Sequence, residues 1–370
     1  MKLNRHEFLI GAFKAALGAA DPKQILPKGL AGVFSQPLTG RVLVLGAGKA
    51  AASMAQALEA YAAAHWPDAK LDGLVITRYG HHASTRHIRV VEAGHPVPDV
   101  AGMNAAVETL KLAQSLKPND HLIALISGGG SSLLTLPASG LSIEDLRQTT
   151  QALLRSGAPI GDMNIVRKHL SAILGGHLAR EAHQCGAQVD AFLISDVTGD
   201  HPSSIASGPC APDPSTFADA LNIIENYHLQ DSEIPRSVLE YLHEGIAGRR
   251  PETPKEKDAV FSRTRNHLLA SAHVSLEAAT AFCQSHGVLP VSLGDTVMGE
   301  ARDVALMQAS IAREIFLYDR PFKKPVALLS GGECTVTIPH DANGRGGRCT
   351  EFLLSLFRSE EHTSELQSRE

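Results

Sequence analysis

Apolar residues along this chain follow two rhythms. Short unbroken runs end in glycine turns, and longer stretches repeat their apolar positions every three or four residues. Arg41 to Leu45 reads Arg-Val-Leu-Val-Leu, enters Gly46-Ala-Gly48-Lys49, and leads into an alanine-rich helix over 50–64. Leu71 to Thr77, Ile88 to Glu92, His121 to Ile126 and Ala191 to Ile194 read as further buried strands. This alternation predicts α/β layers around a mainly parallel sheet. Near the start, Phe8, Leu9, Ala12, Phe13, Ala16 and Leu17 keep i, i+3, i+4 spacing, and Lys14 interrupts the run. That spacing predicts an amphipathic helix stopped at Asp21-Pro22 rather than a secretion signal. Asn164 to Ala179 predicts another helix, with Asn164, Arg167, Lys168 and Ser171 on a polar stripe and Val166, Leu170, Ile173 and Leu174 on the apolar side.

The charged, proline-bearing stretch 248–257 lacks periodicity and reads as a domain connection, giving a first domain over 1–247 and a second over 258–357. Beyond it the pattern predicts a helix from about Ala270 to Ser285, a strand around Leu289 to Leu293, a helix from Gly299 to Tyr318 and a strand from Pro325 to Leu329. Leu125-Ile-Ser-Gly-Gly129 and Leu328-Leu-Ser-Gly-Gly332 use a similar strand-to-glycine turn once in each half.

A chain of 370 residues with 44% hydrophobic and 20% charged content has a core large enough for two domains and is too apolar for disorder. Its net charge of -5 offers no basic field for nucleic acid or an anionic membrane. No uninterrupted apolar run reaches the roughly 18 residues of a membrane span. Five cysteines without a Cys-x-x-Cys pair fit a reducing compartment, the cytoplasm. The 18 histidines include no His-Glu-x-x-His and suggest no zinc site. Arg358 to Ser368 reads as the translation of a common sequencing adapter, so 358–370 is expected to be a foreign tail and natural sequence to stop near Phe357.

Four segments carry candidate chemistry. Gly46, Gly48 and Lys49 combine a close backbone approach with a cation at a helix start. As a dinucleotide fingerprint the segment is incomplete, because Ala51 holds the place of the third glycine and the next strand ends in Thr77-Arg78 rather than Asp or Glu. Ser127, Gly128, Gly129, Gly130 and Ser131 follow a strand as a loose turn suited to cradling phosphate. Asp196 and Asp200, four apart at another strand end, suit a Mg2+ ligand and a proton acceptor. Ser330, Gly331, Gly332 and Glu333 form a second glycine turn, and Arg345 and Arg348 of Gly344-Arg-Gly-Gly-Arg348 suit a carboxylate or phosphoryl oxygen. Two glycine cradles, lysine, arginines and strand-end aspartates together suggest phosphoryl transfer.

In order along the chain, Gly46-Ala-Gly-Lys49, Gly94-His95-Pro96-Val97-Pro98-Asp99, Ser127-Gly-Gly-Gly-Ser131, Val166-Arg167-Lys168-His169-Leu170-Ser171, Ser195-Asp196-Val-Thr-Gly-Asp200, Gly299-Glu300-Ala301-Arg302 and Gly344-Arg-Gly-Gly-Arg348 resemble the glycerate 2-kinase family. The resemblance covers nearly all of residues 1–357. It implies phosphorylation of D-glycerate to 2-phosphoglycerate with ATP and Mg2+. The implied fold is two α/β domains across a cleft, a Rossmann-like three-layer sandwich and a smaller C-terminal MOFRL domain. It further implies that Lys49 and Arg348 are active-site cations and that Ser127 to Ser131 cradle phosphate. Asp196 is then expected as base or metal ligand with Asp200 as its partner, and Lys168, Arg345 and Glu333 as substrate contacts. The sequence departs from the family pattern at Cys349, where Asn is expected, and at Ser271-Ala272, where Ser-Asn is expected. The family continues past this point with an Asp-Gly-Thr-Asp-Gly type segment that contributes to the cleft, so this chain is expected to be truncated and to lack that part of the site. An NAD(P)H-dependent hydroxypyruvate reductase and a non-catalytic sugar-acid or phosphate-binding protein are the rival readings. Monomer and homodimer both stay open.

Overall fold

A computed structural model describes residues 4–229, 233–337 and 346–367, with side chains of the last helix described as far as Ser359. The chain divides into two compact units, Asp21–Ala270 and a smaller one formed by Met1–Ala20 with Ser271–Glu370.

The larger unit is built on a sheet of strands β1 (Gly40–Ala47), β2 (Ala69–Arg78), β3 (Ile88–Ala93), β4 (His121–Ser127), β5 (Gln188–Ile194) and β6 (Thr264–Ala270). Their order is β3-β2-β1-β4-β5-β6, and every neighbouring pair is parallel. Because side chains alternate along a strand, Val42 and Val44 of β1 enter one core and Leu43 and Leu45 the other. Helices Pro22–Val33 and Ala51–His65 supply Leu26, Leu30, Met54 and Leu58 to the first core. Helices Val100–Gln114 and His177–Gln184 supply Ala106, Ala113, Leu178 and Ala182 to the second. Helix, sheet and helix thus form three layers, as the apolar runs predicted. The strand order reverses between β1 and β4, and open parallel sheets bind ligands beyond the carboxyl ends of strands at such a point.

A helical group, Ile143–Arg155, Ile160–His169, Phe217–Asn226 and Arg236–Ile246, has its own core around Leu153, Val166, Phe217 and Leu242. Here the single helix predicted over 164–179 is two. The chain leaves helical geometry after His169, Ser171 Oγ accepts the N–H groups of Ile173 and Leu174, and Gly175 and Gly176 adopt φ of +58° and +87°. The segment 248–257 packs into the larger unit. Glu252 accepts from His169 Nε2 and from the Phe217 N–H, both at 3.0 Å, and Thr253 is buried. Strand β6 escaped the sequence pattern because its polar residues Arg265 and His267 serve Asp190 of β5, whose buried carboxylate also accepts from His121 Nε2 at 2.7 Å.

The smaller unit has two parallel strands, β7 (Leu289–Ser292) and β8 (Val326–Leu329), with helices Ala272–Ser285 and Ala301–Tyr318. The predicted N-terminal helix forms as Arg5–Gly18 and packs on Ala272–Ser285, with the Phe8 and Phe282 rings 5.6 Å apart. Leu9, Phe13 and Leu17 remain exposed on its outer side. The last helix, Arg348–Gln367, runs into the adapter-like segment, whose side chains from 360 onward lie outside the described residues. Among the described residues no helix is long and apolar enough to cross a membrane.

Candidate active site

Three turns at the carboxyl ends of β1, β4 and β5 meet in the larger unit. After β1, the Lys49 N–H donates to the Gly128 carbonyl at 2.9 Å, which ties the first turn to the second. Lys49 Nζ then reaches Asp196 Oδ2, beyond β5, at 3.3 Å. The approach requires glycine in the turn between them: a Cβ on Gly128 would stand 1.8 Å from Asp196 Oδ2. Gly129 has φ of +82°, and a Cβ there would stand 3.0 Å from His95 Cε1 and 3.1 Å from Lys49 Cε. The turn is therefore flanked by an ammonium stem, an imidazole and a carboxylate.

The serines of this turn are engaged with protein. Ser127 Oγ accepts the Ala50 N–H at 3.0 Å, at the start of helix Ala51–His65, and Ser131 Oγ pairs with Ser207 Oγ at 2.7 Å. Gly46 lies within β1, where a Cβ would meet the Leu125 carbonyl oxygen at 2.2 Å, so its role is strand contact rather than a turn. Gly48, Gly128, Gly129 and Gly130 bring backbone to the site. Asp200 closes the β5 turn through its N–H to the Val197 carbonyl, and its carboxylate has no partner among the described residues.

Two residues that sequence reasoning left without a role belong to this cluster. His95 Nδ1 lies 2.6 Å from Ser132 Oγ, and Ser132 Oγ also donates to the Gly129 carbonyl at 3.1 Å. Burial, and after it the charges of Lys49 and Arg78, hold the His95 pKa below its ordinary value, against an opposing pull from Asp196. Arg167 lines a cavity beside Ser131, Ser132, Thr149 and Leu153. Its guanidinium donates to the neutral Asn164 Oδ1 at 3.3 Å and meets no carboxylate within ion-pair distance among the described residues. Thr149 Oγ1 in the same wall is buried without a partner. An unmatched guanidinium beside an unsatisfied hydroxyl suits an anionic oxygen ligand. The signals were present in the Gly94-His95-Pro96 segment and in the polar stripe holding Arg167.

Lys168, expected to meet substrate, is instead buried in an ion pair, its Nζ 2.5 Å from Asp213 Oδ1. Burial alone would raise the Asp213 pKa, yet Lys168 and Ser215 hold it below the usual carboxylate range. The two turned outward from the same helix stripe only in part: Arg167 reaches the cavity, and Lys168 is consumed in the fold.

In the smaller unit the Gly331 N–H donates to Gly294 O at 2.9 Å, and Ser330 Oγ accepts from Gln308 Nε2 at 3.1 Å. A Cβ on Gly332 would lie 2.1 Å from Val297 O. Arg348 Nη2 donates to Glu333 Oε1 at 2.6 Å, so these two expected contacts hold each other. Arg345 lies outside the described residues. Among the described residues no three His, Cys, Asp or Glu side chains form a metal cluster.

Residues 8–243 match the family described as a domain of unknown function, DUF4147. An Agrobacterium vitis protein provisionally named hydroxypyruvate reductase is 46% identical over 93% of this chain and 74% of its own length. The glycerate 2-kinase of Pyrococcus horikoshii is 41% identical, over 87% of this chain and 70% of its own. The crystal structure of a Thermotoga maritima glycerate kinase superposes with a TM-score of 0.79 at 35% identity, covering 95% of this chain and 79% of that one.

Proposed function

The chain belongs to the glycerate 2-kinase family, with its DUF4147 domain over residues 8–243, and from that premise we propose that it transfers the γ-phosphoryl group of ATP to the 2-hydroxyl of D-glycerate. The observation that carries the reading is the convergence of Lys49, His95 and Asp196 on the Gly128-Gly129 turn. Phosphoryl transfer asks mainly for positioning and for cations beside the developing charge. Lys49 supplies the cation, and the Gly128 to Gly130 backbone allows phosphate to approach closely. Arg167 takes the carboxylate role first expected of Lys168, since its charge is unmatched and it faces a cavity. For Arg348 and Glu333 the reading rests on the family resemblance.

Mg2+, which takes one or two carboxylates and leaves its other positions to phosphate oxygens and water, would be held at the β5 turn, where the Asp200 carboxylate is unpartnered among the described residues. Asp196 and Asp200 are the carboxylates there. When bound, such an ion neutralises charge on the phosphoryl oxygens. The five free cysteines agree with a reducing, cytoplasmic setting.

The reductase reading, carried by the Agrobacterium name, lacks a complete dinucleotide fingerprint, since Ala51 holds the place of the third glycine; Arg78 at the end of β2 argues against NAD but is compatible with NADP. One assay separates the readings. Glycerate with MgATP should yield ADP, and hydroxypyruvate should leave NADPH unconsumed. NADPH oxidation without ADP formation would favour the reductase, and ligand binding without either would favour a binding protein.

A further inference from the structure

We propose that His95 is the general base of the transfer, its Nε2 taking the proton of the glycerate hydroxyl as that oxygen attacks the γ-phosphorus. The inference rests on the kinase reading above. Its ground is a hydrogen-bond relay. Assigning the one Ser132 hydroxyl hydrogen to the Gly129 carbonyl, 3.1 Å away, makes Oγ the acceptor of His95 Nδ1–H at 2.6 Å. In that arrangement the imidazole carries its proton on Nδ1 and presents a bare lone pair on Nε2. Nε2 has no protein partner among the described residues and is not sealed from solvent.

Position supports the assignment as strongly as protonation. Gly129 brings His95 Cε1 and Lys49 Cε to within 3.0 and 3.1 Å of one point, so the imidazole flanks the same turn as the phosphate-binding cation. Ser131 and Ser132 join that turn to the cavity walled by Arg167. A substrate with its carboxylate on Arg167 and its hydroxyl toward Gly129 meets the imidazole. Asp196, the other base candidate, has its Oδ2 against Lys49. The charged groups that act on His95 are Lys49, Arg78 and Arg167, which disfavour the imidazolium, and Asp196, which favours it; burial adds to the first group. A base kept neutral at neutral pH is what proton removal requires.

The step balances without redox chemistry. The hydroxyl O–H bond breaks and its proton passes to Nε2. The freed oxygen bonds the γ-phosphorus while the β–γ bridging bond breaks, its electron pair leaving with ADP. The imidazolium then returns the proton to solvent.

His95→Asn tests the proposal, because the Asn amide keeps an N–H toward Ser132 and removes the Nε2 lone pair. With glycerate and MgATP, kcat of the unaltered chain should rise along an acid limb below about pH 6.5 and level off above it. The variant should lose about 100-fold or more in kcat, keep both KM values within a few-fold, and lose the acid limb. Imidazole added to His95→Ala should restore part of the rate. An unchanged kcat or a surviving acid limb overturns the role. A measurement free of turnover is long-range 15N correlation of the histidine rings, which should show His95 protonated at Nδ1; protonation at Nε2 overturns the relay. If the unaltered chain forms no ADP with glycerate, the kinase reading falls and the base role with it. An active chain with an equally active His95→Asn removes only the base.

Discussion

Lys49 Nζ stands 3.3 Å from Asp196 Oδ2, although the two residues leave strands that lie on opposite sides of β4. The contact exists because β4 ends in glycines rather than in residues with side chains. Both partners are about two-fifths exposed, at 39% and 38%, so the pair contributes little to stability.

Lys49→Ala should therefore separate activity from folding. The stability change should stay within about 1 kcal/mol, a shift of only a few degrees in Tm. Turnover of glycerate with MgATP should fall by about 100-fold or more, as loss of a cation beside the transferred group requires. Calorimetry and an ADP-coupled assay on the same preparation check both halves. Retained turnover would remove Lys49 from the site.

Gly128→Ala should reach the same site without removing any charge. The added Cβ would meet Asp196 Oδ2 at 1.8 Å, so the carboxylate must move away from Lys49. A displacement of about 1 Å at a reacting centre costs on the order of 100-fold in rate. We expect that loss in kcat with the charges of Lys49 and Asp196 intact. Gly32→Ala, on helix Pro22–Val33 with nothing within 4 Å of the added atom and no positive φ, is the matched control and should keep its rate.

The sequence made the sheet legible where strands are buried on both faces. Val42 to Leu45 and Leu122 to Ile126 are unbroken apolar runs because each face of the sheet carries a helical layer. Strand β6 was hidden because Arg265 and His267 exist to satisfy Asp190, a requirement set by a residue 75 and 77 positions away. The Gly128 to Gly130 turn stood out in the sequence because three glycines in a row suit close approach, and a Cβ on Gly128 would indeed meet Asp196 Oδ2 at 1.8 Å. Which polar residue faces the neighbouring cavity was not legible, since Arg167 and Lys168 look alike on a stripe. Only the buried Asp213, 45 residues on, decides that Lys168 turns inward.

Acid should loosen the attachment of the 248–257 segment. Glu252 accepts from His169 Nε2, the Phe217 N–H and the Thr253 N–H; burial opposes its charge, yet these bonds hold its pKa down to about 2. An unfolded Glu titrates near 4.3. Since the folded value is the lower one, the stabilisation is complete above about pH 4.3 and is lost as pH falls toward 2. The side chain is 34% exposed, so Glu252→Gln should cost only about 1–2 kcal/mol at neutral pH. Urea unfolding at a series of pH values should show that gap closing between about pH 5 and 2. A constant gap would mean that charge plays no part.

Lys168→Met should damage the fold rather than substrate binding. The Lys168 and Asp213 side chains are 6% and 0% exposed, and Asp213 Oδ2 already lacks a hydrogen-bond partner, with His169 Nε2 4.0 Å away. Removing the ammonium leaves a buried carboxylate uncompensated, which costs about 3–5 kcal/mol. Adding Asp213→Asn removes the orphaned charge, so the double variant should be more stable than Lys168→Met alone. A substrate-binding lysine predicts the opposite pattern: KM for glycerate would rise steeply in both variants, with no recovery from the second substitution. Denaturant midpoints for Lys168→Met, Asp213→Asn and the double variant, set beside KM for glycerate, distinguish the cases. Coupling between positions 168 and 213 in stability, with KM for glycerate near that of the unaltered chain in the double variant, identifies Lys168 as a structural cation and leaves Arg167 as the residue that meets the acid.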